Sequence, residues 1–313
     1  MKNHVELMSL YWTTAGIVPS TGEISRFDFK DRVEAVAKAG FKGIGLYHAD
    51  LEHILQTRTL NEVKTILDDN GIKHLELEFL TDWFLDGVRK SESDRRKRRL
   101  LTASEALQAK HIKVGDLYNT ACPMPRIIKA FAALCKEAED YGATIGFELM
   151  ASAMIDNLKD SLMMIESAGA ENGGLILDIA QVVNLGITCE EISCIPLQYL
   201  VNVELSDGTL PRSSRRDMLT VHSLYGPPKP RTRQFCGEGE FDIQGFIKCV
   251  REMGYDGPWA VEVFSEQLAG LSLEELSTKA YETTVAQFEA LSGVRRASRA
   301  GRESVSIPSP FRM

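Results

Sequence analysis

The segment YGATIGFELM, residues 141–150, contains the structural unit from which the fold of this chain can be inferred. It begins where an amphipathic stretch, Pro125–Tyr141, ends, and Gly142 follows at once. Glycine readily takes the left-handed conformation that ends a helix, so this junction predicts a helix followed by a strand. The strand, Thr144–Met150, is apolar and carries Glu148 near its carboxyl end.

The same helix-glycine-strand junction recurs along the chain, at Gly40, Gly71 and Gly254. Apolar runs that are buried on both faces are typical of parallel strands covered by helices. Eight such runs are predicted as strands: Val5–Trp12, Gly43–His48, His74–Phe79, His111–Gly115, Thr144–Met150, Gly174–Ile179, Tyr199–Leu205 and Trp259–Phe264. Eight amphipathic stretches are predicted as helices: Phe27–Ala39, Leu60–Asp69, Ser93–Ala109, Pro125–Tyr141, Leu158–Ala168, Glu190–Ile195, Ile243–Met253 and Leu273–Leu291.

This alternation predicts an α/β protein with a single-domain (β/α)8 TIM barrel over residues 1–290. An open doubly wound sheet that binds a dinucleotide is disfavoured, because no GxGxxG follows the first strand. Residues 291–313 hold five arginines and one glutamate, together with Ser, Gly and Pro. We interpret them as a short basic C-terminal tail that is solvated or lies against a partner, with binding to an anionic surface as the alternative.

The composition restricts the classes of function. The chain has 313 residues, of which 44% are hydrophobic and 26% charged, and a net charge of -8. No stretch approaches the roughly 18 apolar residues of a membrane span, and Met1–Met8 lacks the apolar core of a signal peptide. An acidic surface repels phosphate backbones. We therefore expect a cytoplasmic protein with neither a membrane nor a nucleic acid as its partner.

The six cysteines are scattered and form no CxxC pair. Disulfide frameworks belong mainly to short secreted chains, and structural zinc sites use closely spaced cysteines. We therefore expect six free thiols.

Each of the last four predicted strands ends near one acidic residue, in the sequences GFE, ILD, NVE and AVE. Side chains alternate along a strand, so each acid lies on the face opposite to large apolar residues such as Phe147 and Val203. Those apolar residues suit the outer wall beneath the helices. We expect the acids to point into the barrel mouth, where TIM barrels place their chemistry: Glu148, Asp178, Glu204 and Glu262.

Four carboxylates in one confined site repel each other, and each buried unpaired charge costs several kcal/mol. A divalent cation would resolve this conflict, and an all-oxygen set of ligands favours Mg, Mn or Ca. The alternative is that each acid pairs with a basic residue from a neighbouring strand.

The chain resembles the xylose-isomerase-like sugar isomerases and epimerases over roughly residues 5 to 290. The matching motifs are GFELM, LDIAQVVNLG, VELSDG, GEGEFD and WAVEVFS, which begin at residues 146, 177, 203, 237 and 259. Proteins of this kind usually hold a metal with a Glu, an Asp, a His or Gln, and a final Glu. The resemblance thus implies Mn or Mg as the cofactor and four metal ligands: Glu148, Asp178, Glu204 and Glu262.

The chain departs from this family pattern at two places. Glu204 stands where His or Gln is commoner, and Gln181 and Asn184 stand where many relatives have His and Arg. Gln181 can hydrogen-bond a hydroxyl group but cannot titrate as histidine does. These departures predict a substrate other than the common ketoses, or a chemistry that has changed or been lost.

The resemblance implies proton transfer next to a carbonyl through a metal-stabilised enediolate, with Glu148 and Glu262 as the catalytic pair. We therefore predict an isomerase or epimerase of a small keto-sugar or polyol. Two alternatives stay open: a dehydratase of the inosose or 3-dehydroshikimate type, and a non-catalytic sugar-binding relative. Barrel relatives that cleave DNA at abasic sites use several histidines, and the last four predicted strands contain none.

Further residues at strand ends or in nearby loops are candidate substrate contacts. Arg233 stands where relatives often place a substrate-contacting arginine, and Asp207 would orient a ligand. The long loop Thr209–Arg231 is predicted to be a lid or a contact between subunits of a homo-oligomer, a dimer or tetramer. Trp83 would stack on a sugar ring or lie in the core. The whole set of candidate contacts comprises Gln181, Arg233, Trp12, His48, Trp83, Lys113, Asp207 and His222, and Glu78 also lies at a strand end.

Overall fold

The strands of the protein close into a barrel. The computed structural model describes residues 5–210 and 232–300, with side chains described up to residue 293. Within these ranges eight parallel strands pair in chain order, and the last pairs with the first. The strands are β1 (Leu7–Ser9), β2 (Gly43–Tyr47), β3 (His74–Leu80), β4 (His111–Val114), β5 (Thr144–Glu148), β6 (Gly173–Asp178), β7 (Leu200–Leu205) and β8 (Trp259–Val261).

Helices cover the outside of the barrel or follow directly on its strands. Those described are α1 (Tyr11–Thr14), α2 (Phe29–Ala39), α3 (His48–Ile54), α4 (Leu60–Asp69), α5 (Gly87–Leu107), α6 (Met124–Glu139), α7 (Leu158–Ala168), α8 (Ile179–Leu185), α9 (Cys189–Ser193), α10 (Ile243–Glu252) and α11 (Leu273–Ala300). None of the described helices is long and apolar enough to cross a membrane.

The predicted α/β barrel is confirmed, and every predicted strand forms. The first is much shorter than predicted, because the chain turns into α1 at Tyr11. The short helices α3 and α8 were not predicted. Each begins immediately after a strand, and α8 is capped by Asp178, whose side chain accepts the N–H of Ala180 at 2.9 Å.

The apolar core lies between the strands and the helices. Phe147 and Val203, predicted to face outwards, belong to this cluster and are buried. The helical backbone of α11 continues to Ala300, beyond residue 290, where the tail was predicted to begin.

Buried polar and charged side chains of β3, β4 and β7 lie inside the barrel. Glycines leave room there for long side chains, since a Cβ atom on Gly45 would lie 2.9 Å from the carboxylate of Glu78. Five polar or charged residues of the interior have no exposed surface: Glu76, His111, Lys113, Asn202 and Glu204. Because a buried charge needs a partner, the charged members of this set must pair with other groups inside the barrel.

The expectation of six free thiols is wrong for one pair of cysteines. Cys189 of α9 and Cys249 of α10 form a disulfide, with 5.8 Å between their Cα atoms. Their separation of 60 residues gave no sign of this pairing, because it depends on two helices that pack side by side. The remaining four cysteines are free: Cys122, Cys135, Cys194 and Cys236.

Candidate active site

Four acidic side chains from β5 to β8 meet at the carboxyl end of the barrel. Glu148 and Asp178 are the last residues of their strands, Glu204 lies within β7, and Glu262 directly follows β8. One carboxylate oxygen from each lies within 4.8 Å of those from the other three. All four side chains are buried. Strand alternation and barrel closure together produce this cluster.

Two buried cations contact the same cluster, so part of the ion-pairing alternative also holds. Arg233 forms ion pairs with Asp178 and Glu262. The Nζ atom of Lys113 lies 2.8 Å from Glu204 and 3.4 Å from Glu262. The two cations therefore contact three of the four acids.

The lysine also reaches two acids of β3. Its Nζ atom is 3.1 Å from Glu76 and 3.5 Å from Glu78. Six buried carboxyl groups thus surround two cations: Glu76, Glu78, Glu148, Asp178, Glu204 and Glu262. The described part of the barrel mouth therefore carries more carboxyl groups than its cations can neutralise.

This excess shifts the pKa values of the acids. Burial, together with neighbouring carboxylates, raises the pKa of Glu148 to about 8, although Lys113 opposes this shift. Burial also raises the pKa of Glu78 to about 8 and the pKa values of Asp178 and Glu204. The pKa of Glu76 falls to about 2 despite burial, because Lys113 and His111 stabilise its charge.

The residues at the mouth suit a divalent cation. The Oε2 atom of Glu204 is buried and has no hydrogen-bond partner among the described residues. The carboxylate of Glu148 is buried and lies within 4.8 Å of the other three acids. A set of oxygen ligands with unused lone pairs is the coordination that Mg, Mn and Ca prefer.

Aromatic rings line one side of the mouth. Trp12 is half-buried, and its ring lies 6.3 Å from that of Phe264 and 5.2 Å from that of Tyr47. The guanidinium of Arg233 lies 5.0 Å from the centre of the Phe264 ring. These contacts place Trp12 and Arg233 on one wall beside the acids, and such a wall suits the apolar face of a sugar or polyol ring.

Two other candidates have structural contacts that fix their orientation. The Oε1 atom of Gln181 accepts the N–H of Ala151 at 3.1 Å, and its amide N–H groups donate to no residue within the described ranges. Asp207 accepts backbone N–H groups of Gly208, Gly237 and Phe241 at 2.8 to 3.0 Å. Asp207 therefore ties the end of β7 to the segment between Gly237 and Phe241.

Of the remaining candidates, Trp83 lies in the core, His48 packs on an aromatic neighbour, and His222 lies outside the described residues. Trp83 is 4% exposed and packs on Phe84 and Phe131 in the main core, so its assignment as a sugar-stacking residue is corrected. His48 starts α3 and packs on Tyr47, and burial lowers its pKa to about 3. His222 and nearly all of its loop lie outside the described residues.

The sequence-based reading missed Glu76, His111 and Phe264 as parts of the site. Strand alternation already contained the signal, because Glu76 shares a strand face with Glu78, His111 with Lys113, and Phe264 with Glu262. Glu76 contacts His111 and accepts a hydrogen bond from Asn202 at 3.1 Å. These groups form the floor beneath the cluster.

The family of the chain follows from its sequence over most of its length. The profile of the xylose isomerase-like TIM barrel family matches residues 33–286. The chain belongs to this family. The matched range includes all four acids of the cluster, and also Lys113 and Arg233.

Curated relatives of this xylose isomerase-like barrel are enzymes. The chain is 26% identical over 242 residues to a 3-dehydroshikimate dehydratase of Pseudomonas aeruginosa, covering 75% of this chain and 36% of that protein. The chain thus spans about a third of that relative's length. It is 21% identical over 268 residues to an inosose isomerase of Halalkalibacterium halodurans, covering 81% of this chain and 89% of the relative.

Solved structures share the barrel fold. The crystal structure of the IOLI protein with a bound zinc atom aligns with a TM-score of 0.75 and 18% identity, over 90% of this chain and 97% of that one. A D-allulose 3-epimerase from Methylomonas sp. in complex with D-allulose aligns with a TM-score of 0.65 and 16% identity, over 90% of this chain and 97% of the epimerase. At these identities the likeness establishes the fold alone.

Proposed function

We propose that this xylose isomerase-like barrel is a metal-dependent isomerase or epimerase of a small keto-sugar or polyol. The observation that carries the proposal is the buried cluster of four carboxyl groups whose oxygens lie within 4.8 Å of one another. The named relatives, an inosose isomerase and 3-dehydroshikimate dehydratases, support an enzyme that acts on a polyhydroxylated carbonyl compound.

A divalent cation, Mn or Mg, would be held by the four acids: Glu148, Asp178, Glu204 and Glu262. When bound, such an ion polarises a carbonyl group and an adjacent hydroxyl group of a substrate. The bound zinc of the IOLI protein supports a metal site in a barrel of this fold. The preference for Mn or Mg rests on the all-oxygen ligand set.

The chain's own residues would move the proton. Glu148 is buried at the end of β5, and in the metal-free protein burial raises its pKa to about 8, which makes it a stronger base than an ordinary carboxylate. Glu262 comes from β8, which is not adjacent to β5 in the barrel. Acids from two separate strands can address two faces of one substrate carbon, as an epimerisation requires.

Other residues would bind and orient the substrate. Arg233 lies between two of the acids and the Phe264 ring. In this position its N–H groups would donate to a substrate oxygen. Gln181 keeps its amide N–H groups free for a hydroxyl group. The rings of Trp12 and Phe264 would exclude water from the apolar side of the ligand.

A dehydratase is the second candidate function. It is favoured by the 26% identity to the 3-dehydroshikimate dehydratase, although that relative is much longer than this chain. In a dehydration, one acid would remove a proton and a second acid would protonate the leaving hydroxyl group. The same pair, Glu148 and Glu262, is available for both steps.

One experiment tests both candidates. The Mn-loaded protein is incubated in heavy water with inososes, ketohexoses and 3-dehydroshikimate, and each reaction is followed by proton NMR and ultraviolet absorbance. We expect a new stereoisomer or ketose with deuterium at the reacting carbon. We expect Glu148→Gln to lower the rate by at least about a hundredfold, because general acid–base catalysis contributes 10²–10⁴-fold.

The matched control is Glu92→Gln, which neutralises an exposed glutamate of α5 and should leave the rate unchanged. Formation of a conjugated product without a stereoisomer would replace the isomerase by the dehydratase. A folded, metal-loaded protein that exchanges no substrate proton and forms no product would rule out both.

A further inference from the structure

The side chain of Lys113 is a buried charge in the barrel interior. It has no exposed surface, and its Nζ atom lies within 3.5 Å of carboxylate oxygens on four different residues. The shortest of these contacts, 2.8 Å, is to the Oε1 atom of Glu204. The position of the ammonium group is therefore determined on several sides.

The floor of the barrel keeps this lysine in place. Glu76 lies 3.1 Å from Nζ and is itself in contact with His111 and Asn202. Each of these groups is fully buried. A buried ion held in this way by further hydrogen-bonded groups has little freedom to move.

The two oxygens of Glu204 have different surroundings. Both are buried and accept no hydrogen bond from a described residue, but Oε1 forms an ion pair with the ammonium of Lys113 at 2.8 Å. Glu204 also belongs to the cluster of four acids that suits a metal ion. One of its oxygens is thus engaged by the lysine, and the other is left for a different ligand.

We propose that Lys113 is a positioning residue, which holds Oε1 of Glu204 so that this glutamate binds a divalent cation through Oε2 alone. A free carboxylate can rotate or bind a metal through both oxygens, whereas a tethered one presents a single oxygen in a fixed direction. The ammonium also offsets part of the charge of Glu204, so the tethered carboxylate acts as a less anionic one-atom ligand. This inference rests on the metal site of the proposed function.

The arrangement gives a physical reason for the unusual glutamate. The family commonly uses His or Gln at this position, and both are neutral ligands that bind through one atom. Groups behind a metal ligand orient it, and their loss typically weakens metal binding by about 10–100-fold. Lys113 would do for Glu204 what a hydrogen-bond acceptor does for a histidine ligand.

The test is a double-mutant cycle on metal affinity, with Lys113→Met, Glu204→Gln and the double variant. Mn²⁺ dissociation constants are measured by calorimetry on folded, chelator-treated protein. We expect Lys113→Met to weaken Mn²⁺ binding by at least about tenfold in the parent chain. With Gln at position 204, the same change should alter the dissociation constant by less than about threefold, because there is no carboxylate left to orient.

Lys110→Met is the matched control, because Lys110 immediately precedes β4 and forms no ion pair with the four acids in the described structure. It should leave the Mn²⁺ affinity unchanged. An equal effect of Lys113→Met in both backgrounds, or a Lys113→Met variant that binds Mn²⁺ as tightly as the parent or more tightly, would overturn the role of Lys113 alone. A parent protein that binds no Mn²⁺ would instead refute the proposed metal site itself.

If Lys113→Met does not fold, a crystal structure of the Mn-loaded parent tests the proposal instead. We expect one Mn–O bond from Glu204, with the other oxygen still on the Nζ atom of Lys113. A Glu204 that binds the ion through both oxygens, or a broken contact to Lys113, would overturn the proposal.

Discussion

The acids of the barrel mouth are chemically different although their sequence settings are alike. Glu76 and Glu148 are both buried glutamates on barrel strands. Glu76 lies against Lys113 and His111, so its pKa falls to about 2. Burial raises the pKa of Glu148 to about 8, because Lys113 and Arg233 offset the burial and the neighbouring carboxylates only in part. Their immediate neighbours, and not their burial, make the difference.

The raised pKa of Glu148 predicts how stability depends on pH in the metal-free protein. The folded chain keeps the proton up to about pH 8, whereas the unfolded chain releases it near the ordinary value of 4.5. The folded state therefore binds more protons between these values, and stability falls as the pH rises through this range. Each titrating group contributes on the order of 1.4 kcal/mol per pH unit.

Glu148→Gln should remove this contribution, so its melting temperature should fall less between about pH 5 and pH 8. The measurement is thermal unfolding in the presence of a chelator, with Glu92→Gln as the control. An identical pH dependence in the parent and in Glu148→Gln would contradict the raised pKa.

Single residues also show where sequence reasoning succeeds. The four acids could be placed because strand alternation is local, and a strand end is easily recognised. The position of Trp83 could not be predicted in the same way, because residues far away in sequence decide whether a tryptophan after a strand packs in the core or lines a pocket. Here Phe131 of α6 fills the space beside it.

At the scale of elements, the strands were predictable and the short helices were not. The strands have continuous apolar runs with clear ends, and a helix of seven residues such as α3 or α8 contains too few turns to show a period. Both helices begin at the mouth of the barrel and determine where the chain goes after β2 and β6. Asp178 has two roles, because it belongs to the acidic cluster and also caps α8.

The disulfide between α9 and α10 provides a prediction about these elements. A bridge that closes a loop of 60 residues restricts the unfolded chain, so its reduction should lower the free energy of unfolding by roughly 2–4 kcal/mol. The measurement is denaturant unfolding with and without reductant, in the parent and in Cys189→Ser. The serine variant should be insensitive to the reductant.

Cys194→Ser is the control, because this exposed cysteine is free and its removal should leave the effect of the reductant intact. A thiol titration of the unreduced, unfolded parent should give four free groups. Six free groups would contradict the bridge.

At the scale of the whole molecule, barrel closure brings distant residues into one site. Lys113 and Glu262 are 149 residues apart, yet their charged atoms lie 3.4 Å from each other. The site draws on β3 to β8, so a ligand that binds there connects most of the fold. Binding should therefore stabilise the barrel as a unit.

We accordingly predict that Mn²⁺ raises the melting temperature of the protein. A concentration of about a hundred times the dissociation constant should add about 2.7 kcal/mol, which corresponds to roughly 5 °C. Chelator should reverse the shift, and Asp178→Asn should reduce it. A melting temperature that Mn²⁺ does not change would contradict the metal site.

The sequence by itself determined the repeating order of helices and strands, the barrel class and the four acids at the strand ends. These features depend on local periodicity and on the glycines that end helices. Only the tertiary structure decided which charges are paired, because ion pairs such as those of Lys113 and Arg233 depend on the diameter of the barrel and on which strands face each other. For the same reason the bridge between Cys189 and Cys249 became visible only once α9 and α10 were placed side by side.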